Sequence, residues 1–308
     1  MIIGYRRVSG KLPLSQDEAG ARGTWLEKRR ALIASLEDRG HTFSYLTDPT
    51  PNSQQEGYAK APNYNCDLLM LEFGGNNLMF NKKAWEETFA IIKQHKGKIV
   101  FLNDDPDLPF LWKELPDEDW SRWTIAANAV NTDAVRKRLN VPTAAKVIDI
   151  PFHAVLRQRE FADGINTTAI YYGRPNGRSK VLAPFLSSGI VTIAGKQEEW
   201  GNEVVVPAPE QKNRSEFYRQ WRACLAIYDG KHADTGWRTG RAYHALLAGI
   251  PVAAPRGNKG LVWAFSADYP NELAQLLKMD KNQREELHAQ QVIAATGDIE
   301  TAYIALGL

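Results

Sequence analysis

The chain has 308 residues, of which 44% are hydrophobic and 24% are charged, and its formal net charge is +2. This is the composition of a globular protein long enough for two domains, and it excludes a disordered or fibrous chain. The longest apolar runs are strand-sized, well below the roughly 20 residues that a membrane helix needs. The N-terminus lacks the pattern of a signal peptide, so we expect a cytoplasmic protein with no membrane partner.

The first half of the chain alternates short β-branched runs with helical patterns, which is typical of βαβ units and a parallel sheet. Helices are predicted over Thr24–Arg39 and Asn81–His95, and Gly40 ends the first of them. Strands are predicted at Ile2–Tyr5, Thr42–Leu46, Asp67–Phe73, Lys98–Leu102, Trp123–Ala127 and Lys146–Ile150.

The same pattern restarts after Pro151–Asn166, a stretch without a clear period. Strands are predicted at Thr168–Tyr172, Ile190–Ala194, Val204–Val206, Ala223–Tyr228 and Pro251–Ala254, and helices at Gly177–Ser187, Arg214–Trp221 and Thr239–Ala248. The chain is expected to be helical from residue 270 to its end. We therefore predict an α/β fold of two Rossmann-like domains, residues 1–160 and 161–270, whose parallel sheets face a cleft. Residues 271–308 are expected to pack back across the junction.

Positive charge is concentrated in the second half. Residues 168–262 hold 13 Lys and Arg against 7 Asp and Glu. A net charge of +2 is weaker than the bias of a dedicated DNA-binding domain, but this local excess favours a phosphorylated ligand or a polyanion. The two cysteines, Cys66 and Cys224, lie far apart and not at metal-ligand spacing, which indicates core thiols.

The loop after the first strand of the second half is a candidate diphosphate site. Gly173 allows close approach of the backbone, and Arg174 and Arg178 add fixed positive charge beside a new helix. Its spacing is not that of the dinucleotide-binding glycine fingerprint. A solvated basic turn is the alternative interpretation.

A second candidate is the long polar loop that starts at Tyr228-Asp229 and leads into a helix. A loop of this length between a strand and a helix is often functional. Arg241 and His244 are three residues apart, so both project from one face of the helix's first turn. A lone histidine is more often structural, and the ligand interpretation is stronger for Arg241.

The first half offers acidic and glycine-rich loops at strand ends. Asp104, Asp105 and Asp107 follow a strand and include a candidate general base, although Asp and Pro also make turns. The loop with Gly74, Gly75 and Asn76 and the long first loop that starts at Arg6 and Arg7 are candidate acceptor contacts. No P-loop, nucleophile elbow, HExxH motif or kinase signature is present.

In order and spacing, these motifs resemble the phage DNA β-glucosyltransferases, inverting GT-B enzymes that glycosylate 5-hydroxymethylcytosine in DNA. Asp105-x-x-Leu108-Pro109-Phe110 after a strand is similar to that family's Asp-x-x-Leu-Pro-Phe, in which the Asp is the catalytic base. Ile170-Tyr171-Tyr172-Gly173 is similar to its Ile-Tyr-Gly-Gly turn, whose two following arginines hold the donor diphosphate.

A third similarity runs from Ala226 through Asp229 to Arg241, and it carries one departure. The family has a Glu three residues after the arginine to hold the donor ribose, whereas this chain has His244. A neutral imidazole accepts only one hydrogen bond. A pentose donor or a different nucleotide is therefore conceivable.

The resemblance implies an inverting transferase with Asp105 as base, an acceptor-binding first domain and a nucleotide-sugar-binding second domain. Its donor is a nucleoside-diphosphate sugar, UDP-sugar by analogy, and a divalent metal (Mg²⁺ or Mn²⁺) is optional. Its partner is double-stranded DNA with modified bases, and a monomer in the host cytoplasm is expected if a phage encodes it. The alternatives are a GT-B enzyme with a lipid, polysaccharide or small-molecule acceptor, and a non-catalytic nucleotide or sugar binder.

Overall fold

In the computed structural model, the chain divides into two compact units. Unit 1 consists mainly of Arg29–Ile150 and is completed by Ile299–Leu308, and unit 2 consists mainly of Pro151–Asp298. The sequence placed the boundary ten residues later, at residue 160. The structure describes residues 1–7, 24–46, 65–72, 82–103, 115–156, 158–175, 177–201, 203, 205–210, 213–228, 234–238, 240–297 and 299–308.

Unit 1 contains a parallel sheet of six strands in the order β2-β1-β3-β4-β5-β6. The central strands are buried almost throughout, as expected for a parallel sheet covered on both faces. The strand order reverses beside β1, so a ligand is expected near the carboxyl ends of β1 and β3. The strands are β1 (Ile2–Arg7), β2 (Thr42–Tyr45), β3 (Leu68–Glu72), β4 (Lys98–Asn103), β5 (Trp123–Ala127) and β6 (Lys146–Asp149).

Unit 2 contains a second parallel sheet of six strands, in the order β12-β11-β10-β7-β8-β9. This is the strand order of dinucleotide-binding sheets, and the order reverses between β7 and β10. The carboxyl ends of those two strands are therefore the expected ligand position. The strands are β7 (Asn166–Tyr172), β8 (Val191–Gly195), β9 (Val205–Pro207), β10 (Trp221–Leu225), β11 (Val252–Ala254) and β12 (Phe265–Ser266).

The helices connect and cover these strands. They are α1 (Thr24–Glu37), α2 (Lys82–Gln94), α3 (Thr132–Arg138), α4 (Ser179–Ser187), α5 (Gln197–Trp200), α6 (Arg214–Tyr218), α7 (Gly240–Leu247), α8 (Pro270–Lys278), α9 (Lys281–Thr296) and α10 (Ile299–Leu306). Every helix among these described residues is too short or too polar to span a bilayer.

The C-terminal helices belong to different units. Helix α10 packs in unit 1, where the hydroxyl of Tyr303 donates to Oγ of Ser35 at 3.0 Å. The guanidinium carbon of Arg39 lies 4.6 Å from the centre of the Tyr303 ring. Helix α9 packs in unit 2, where the Gln291 amide bonds both the backbone N–H and the carbonyl of Val252. Polar side chains on α9 thus supply hydrogen bonds to the core of unit 2.

The buried His288 on α9 makes stability depend on pH. Its Nε2 lies 2.8 Å from the carbonyl oxygen of Leu246, an acceptor, so this nitrogen carries the proton of the neutral ring. Burial lowers the pKa of His288, and the bond to Leu246 opposes the shift. A lowered folded-state pKa favours the neutral ring, so its contribution is present above the unfolded pKa of about 6.5 and is lost as pH falls below it.

We therefore expect the free energy of unfolding, measured by urea denaturation, to decrease as pH falls from about 7 to 5. His288→Gln keeps a hydrogen-bond donor for Leu246 but cannot titrate, so the variant should lose part of this dependence. Burial also lowers the pKa of His95 and His41, which leaves a residual slope. Equal slopes in the wild type and His288→Gln would show that His288 does not titrate on unfolding.

Candidate functional site

At the carboxyl end of β7, Gly173 and Arg241 lie in close contact. A Cβ added at Gly173 would lie 2.4 Å from Nη1 of Arg241 and 3.0 Å from the Tyr171 hydroxyl. Arg241 is the second residue of α7, and its guanidinium carbon lies 5.5 Å from the centre of the Tyr172 ring. The missing side chain at Gly173 leaves the space that the Arg241 guanidinium occupies, so a larger residue there would displace this guanidinium.

Two further arginines follow the same strand. Arg178 lies directly before α4, and its Nη1 donates to the carbonyl of Arg174 at 3.4 Å. The Tyr171 hydroxyl donates to that carbonyl as well, at 3.1 Å. Arg174 itself is exposed, with its Nε 3.1 Å from Oε1 of Glu199. The structure thus brings Gly173, Arg174, Arg178 and Arg241 to one strand end of unit 2.

The charge of these arginines reaches the buried groups beside them. Burial raises the pKa of the Tyr171 hydroxyl, and the guanidinium groups of Arg178 and Arg241 oppose that rise. Burial also raises the pKa of the Cys224 thiol to about 12, again opposed by Arg241. Among the described residues, no carboxylate pairs with Arg178 or Arg241. Their positive charge is therefore available for an anionic ligand.

The remaining donor-side residues are only partly within the described chain. His244 lies three residues after Arg241 on α7 and is half-buried. Asp229 falls outside the described residues, between Tyr228 and Asp234. The structure therefore places His244 near the arginines along the helix, and the role of Asp229 stays a prediction.

Unit 1 presents a different chemistry at the carboxyl edge of its sheet. Four buried polar residues stand there on neighbouring strands or directly after them: Arg6 on β1, Glu72 on β3, Asn103 on β4 and Asn128 after β5. Nε of Arg6 donates to Oγ1 of the buried Thr88 at 2.8 Å. We call these four residues the polar row. Polar groups are costly to bury, so such a row is typical of a site or of its support.

The structure corrects the position of two predicted acceptor contacts. Arg6 and Arg7 lie in β1, not in the loop that the sequence assigned to them. Arg6 is buried, and its guanidinium donates a hydrogen bond to the Thr88 hydroxyl. The other predictions for this unit, Asp105, Gly74, Gly75 and Asn76, lie outside the described residues.

Sequence reasoning overlooked several residues that the fold places at these strand ends. Glu72 lay inside the predicted strand Asp67–Phe73, and Asn103 and Asn128 directly followed predicted strands, and none of the three was singled out as a site residue. In unit 2 it overlooked Arg214, the first residue of α6, whose guanidinium carbon lies 5.5 Å from the Tyr172 ring centre. Its place as the first residue of a helix that follows a strand was the only available signal.

Neither cysteine belongs to a metal site in the described part of the chain. Sγ of Cys66 lies 3.7 Å from Nδ1 of His95, and Cys224 is buried in the core. Over the described residues, no group of three His, Cys, Asp or Glu side chains is arranged to hold a metal ion.

Sequence comparison finds no relative for this chain. No protein-family model matches it, and no curated protein matches it.

Comparison with solved structures does find similar folds. The chain is similar to a DNA-modifying β-glucosyltransferase solved with and without uridine diphosphoglucose, with a TM-score of 0.74, 16% identity and 100% of both chains covered. It is similar to T4 phage β-glucosyltransferase in complex with UDP-glucose, at a TM-score of 0.73 and 15% identity over 99% of this chain and 98% of that one.

A third similar structure is an α-glucosyltransferase in complex with UDP-glucose and DNA containing an abasic site. Its TM-score is 0.58, with 10% identity over 98% of this chain and 95% of that one. The predicted α/β fold with two parallel sheets is confirmed, and it is the fold of GT-B glycosyltransferases. The likeness to β-glucosyltransferases that the motifs predicted extends over the whole chain.

Proposed function

We propose that this chain is a glycosyltransferase that transfers a sugar, with inversion, from a nucleoside-diphosphate donor to a hydroxymethylated base in double-stranded DNA. The observation that carries the proposal is the set of arginines around Gly173, at the strand-order reversal of unit 2. The three similar structures were solved with UDP-glucose, one of them also with DNA. UDP-glucose is therefore the first donor to test.

The donor half supplies charge for the leaving group. When the bond between the sugar and the diphosphate breaks, negative charge grows on the diphosphate. Guanidinium groups bind phosphate oxygens in pairs, and Arg178 and Arg241 have no carboxylate competitor among the described residues. Arg174, exposed beside them, exchanges its contact with Glu199 for the ligand.

The acceptor half supplies the base. Asp105 follows the last residue of β4, the buried Asn103, by two positions in the sequence. A carboxylate at that edge removes the proton of the acceptor hydroxyl as the oxygen attacks the anomeric carbon. Gly74, Gly75 and Asn76, which follow β3 in sequence, and Arg7, the last residue of β1, are proposed to contact the acceptor.

The test is sugar transfer from UDP-glucose to duplex DNA that contains 5-hydroxymethylcytosine, with nucleosides analysed by mass spectrometry. We expect a hexosyl-hydroxymethylcytosine nucleoside, and none with unmodified cytosine DNA, which lacks the attacking hydroxyl. Other UDP-sugars and a UDP-pentose are assayed in parallel. Absence of transfer from every donor, with UDP binding intact, would contradict DNA as the acceptor.

Donor choice is expected to depend on His244. A carboxylate accepts hydrogen bonds from two ribose hydroxyls, whereas a neutral imidazole accepts one. His244→Glu should therefore change the ranking of nucleotide donors, measured as kcat/KM for a panel of nucleotide sugars, more than it changes the melting temperature. His244→Gln is the uncharged control. An identical donor ranking in the wild type and His244→Glu would make His244 a structural residue.

A further inference from the structure

Two arginines make cation–π contacts with the ring of Tyr172. The guanidinium carbons of Arg214 and Arg241 each lie over this ring, 5.5 Å from its centre. Arg241 comes from α7 and Arg214 from α6, the helix that leads into the neighbouring strand β10. The contact with Tyr172 brings a fourth arginine, Arg214, to the strand end that holds Gly173.

The Arg214 side chain makes no hydrogen bond within the described part of the chain. Its Nε is buried and has no partner there, and no described carboxylate pairs with it. The Nε of Arg222 is also unpartnered, but that arginine donates to a backbone carbonyl through Nη1. Arg219 provides the contrast, because its Nη1 donates to the carbonyls of Glu160 and Ala248 at 2.8 Å each. Buried donors normally have partners, so the state of Arg214 requires an explanation.

The hydroxyl of Tyr218 is a second unpartnered group at the same place. This side chain is fully buried, its ring contacts Tyr172 edge-on at 6.4 Å, and its hydroxyl has no partner among the described residues. Burial raises the pKa of this hydroxyl, and the charges of Arg214 and Arg241 oppose that rise. Two guanidinium groups and an unpartnered hydroxyl therefore lie near the Tyr172 ring, and no carboxylate of the described residues pairs with either guanidinium.

We propose that Arg214 is a phosphate-binding residue of the donor site, and that the Tyr172 ring positions Arg214 and Arg241 for the diphosphate. This inference rests on the proposed donor chemistry. It adds Arg214 as a residue that contacts the ligand and Tyr172 as a residue that positions the arginines. An anion at this strand end gives the Arg214 guanidinium a partner and balances the repulsion between neighbouring guanidinium groups. The cation–π contacts hold both groups at the site before the ligand arrives.

The experiment compares UDP, inorganic pyrophosphate and uridine as ligands of the full chain by calorimetry. Arg214→Gln should weaken UDP and pyrophosphate by about 10- to 100-fold, the range for a hydrogen bond to a charged group, and leave uridine unchanged. Arg214→Lys keeps the charge, and its affinity for UDP and pyrophosphate should lie between those of the wild type and Arg214→Gln. Lys278→Gln removes one exposed charge of the same unit at the end of α8 and should bind UDP like the wild type.

Two results overturn the proposal: unchanged UDP affinity in Arg214→Gln, or equal losses for UDP and uridine, which would mark a structural role. A wild type that binds UDP but transfers no sugar contradicts the proposed function and leaves this test valid. A wild type that binds neither UDP nor pyrophosphate overturns both proposals.

The positioning role of Tyr172 has its own pair of variants. Tyr172→Phe keeps the ring and should bind UDP like the wild type. Tyr172→Leu removes the ring and should weaken UDP by about 3- to 30-fold, as expected for lost cation–π contacts, with uridine binding unchanged. Equal UDP affinity in the Phe and Leu variants would show that the ring does not position the arginines.

Discussion

Replacing Arg178 and Arg241 together by alanine is expected to weaken UDP binding by roughly 10²- to 10⁴-fold. Each arginine would contribute about 1.5 to 3 kcal/mol through hydrogen bonds to a charged group, and the two flank one ligand, so their contributions need not add. Arg241 occupies the space beside Gly173, and Arg178 lies next to the buried Tyr171 hydroxyl. Loss of both removes two of the positive charges at the β7 strand end.

The matched control removes two positive charges elsewhere in unit 2. Lys278 and Lys281 are exposed and lie at the turn between α8 and α9. The Lys278→Ala, Lys281→Ala variant should bind UDP within about twofold of the wild type, because salt weakens the effect of exposed charges that do not contact the ligand. Both variants are measured by calorimetry at one salt concentration. Retained UDP affinity in the arginine variant would remove the β7 loop from the donor site.

The sheet architecture was predictable because it depends on local hydrophobic patterns that are visible in the sequence. Short β-branched runs separated by helical periods give parallel sheets, and all six strands predicted in unit 1 overlap observed ones. The short strand β12 and the one-turn helix α5 were not predicted, since elements of two and four residues have no measurable period. Strand ends were the weakest part, as the placement of Arg6 and Arg7 in β1 illustrates.

The arginine set shows where sequence reasoning stops. Arg174 and Arg178 follow a strand and a glycine, so their neighbourhood was predictable from spacing. Arg214 lies 40 residues after Arg174 in sequence. Only the order of the sheet, which places β10 beside β7, brings α6 to the same strand end. Tertiary proximity of this kind has no local signature.

The polar row of unit 1 was overlooked for a related reason. Glu72 and Asn103 end runs that are otherwise hydrophobic, and a single polar residue there is usually a turn. Strand register sets Glu72 level with Leu102 on β4 and Asn103 level with Ala127 on β5, so Glu72 and Asn103 leave opposite faces of the sheet, and both are buried because both faces are covered. The hydroxyl of Tyr5 donates to the Glu72 carboxylate, which holds that side chain in the row.

Asp105→Asn is expected to slow the chemical step by roughly 10²- to 10⁴-fold, the usual contribution of a positioned general base, while UDP and DNA affinity stay near wild type. The amide fills the same volume but cannot accept the proton of the acceptor hydroxyl. Asp107→Asn is the matched control, a neighbouring carboxylate of the same loop that is expected to retain activity.

The decisive measurement for Asp105 is single-turnover sugar transfer at saturating UDP-glucose and DNA, since this separates chemistry from binding and product release. A base assignment requires the transfer rate to fall in Asp105→Asn and to stay within a few-fold of wild type in Asp107→Asn. The target base also has to leave the duplex before its hydroxyl can reach a carboxylate, so hydroxymethylcytosine opposite a mismatch should react faster than in a matched duplex. Full activity in Asp105→Asn would exclude it as the base, and equal losses in both variants would assign the effect to the loop as a whole.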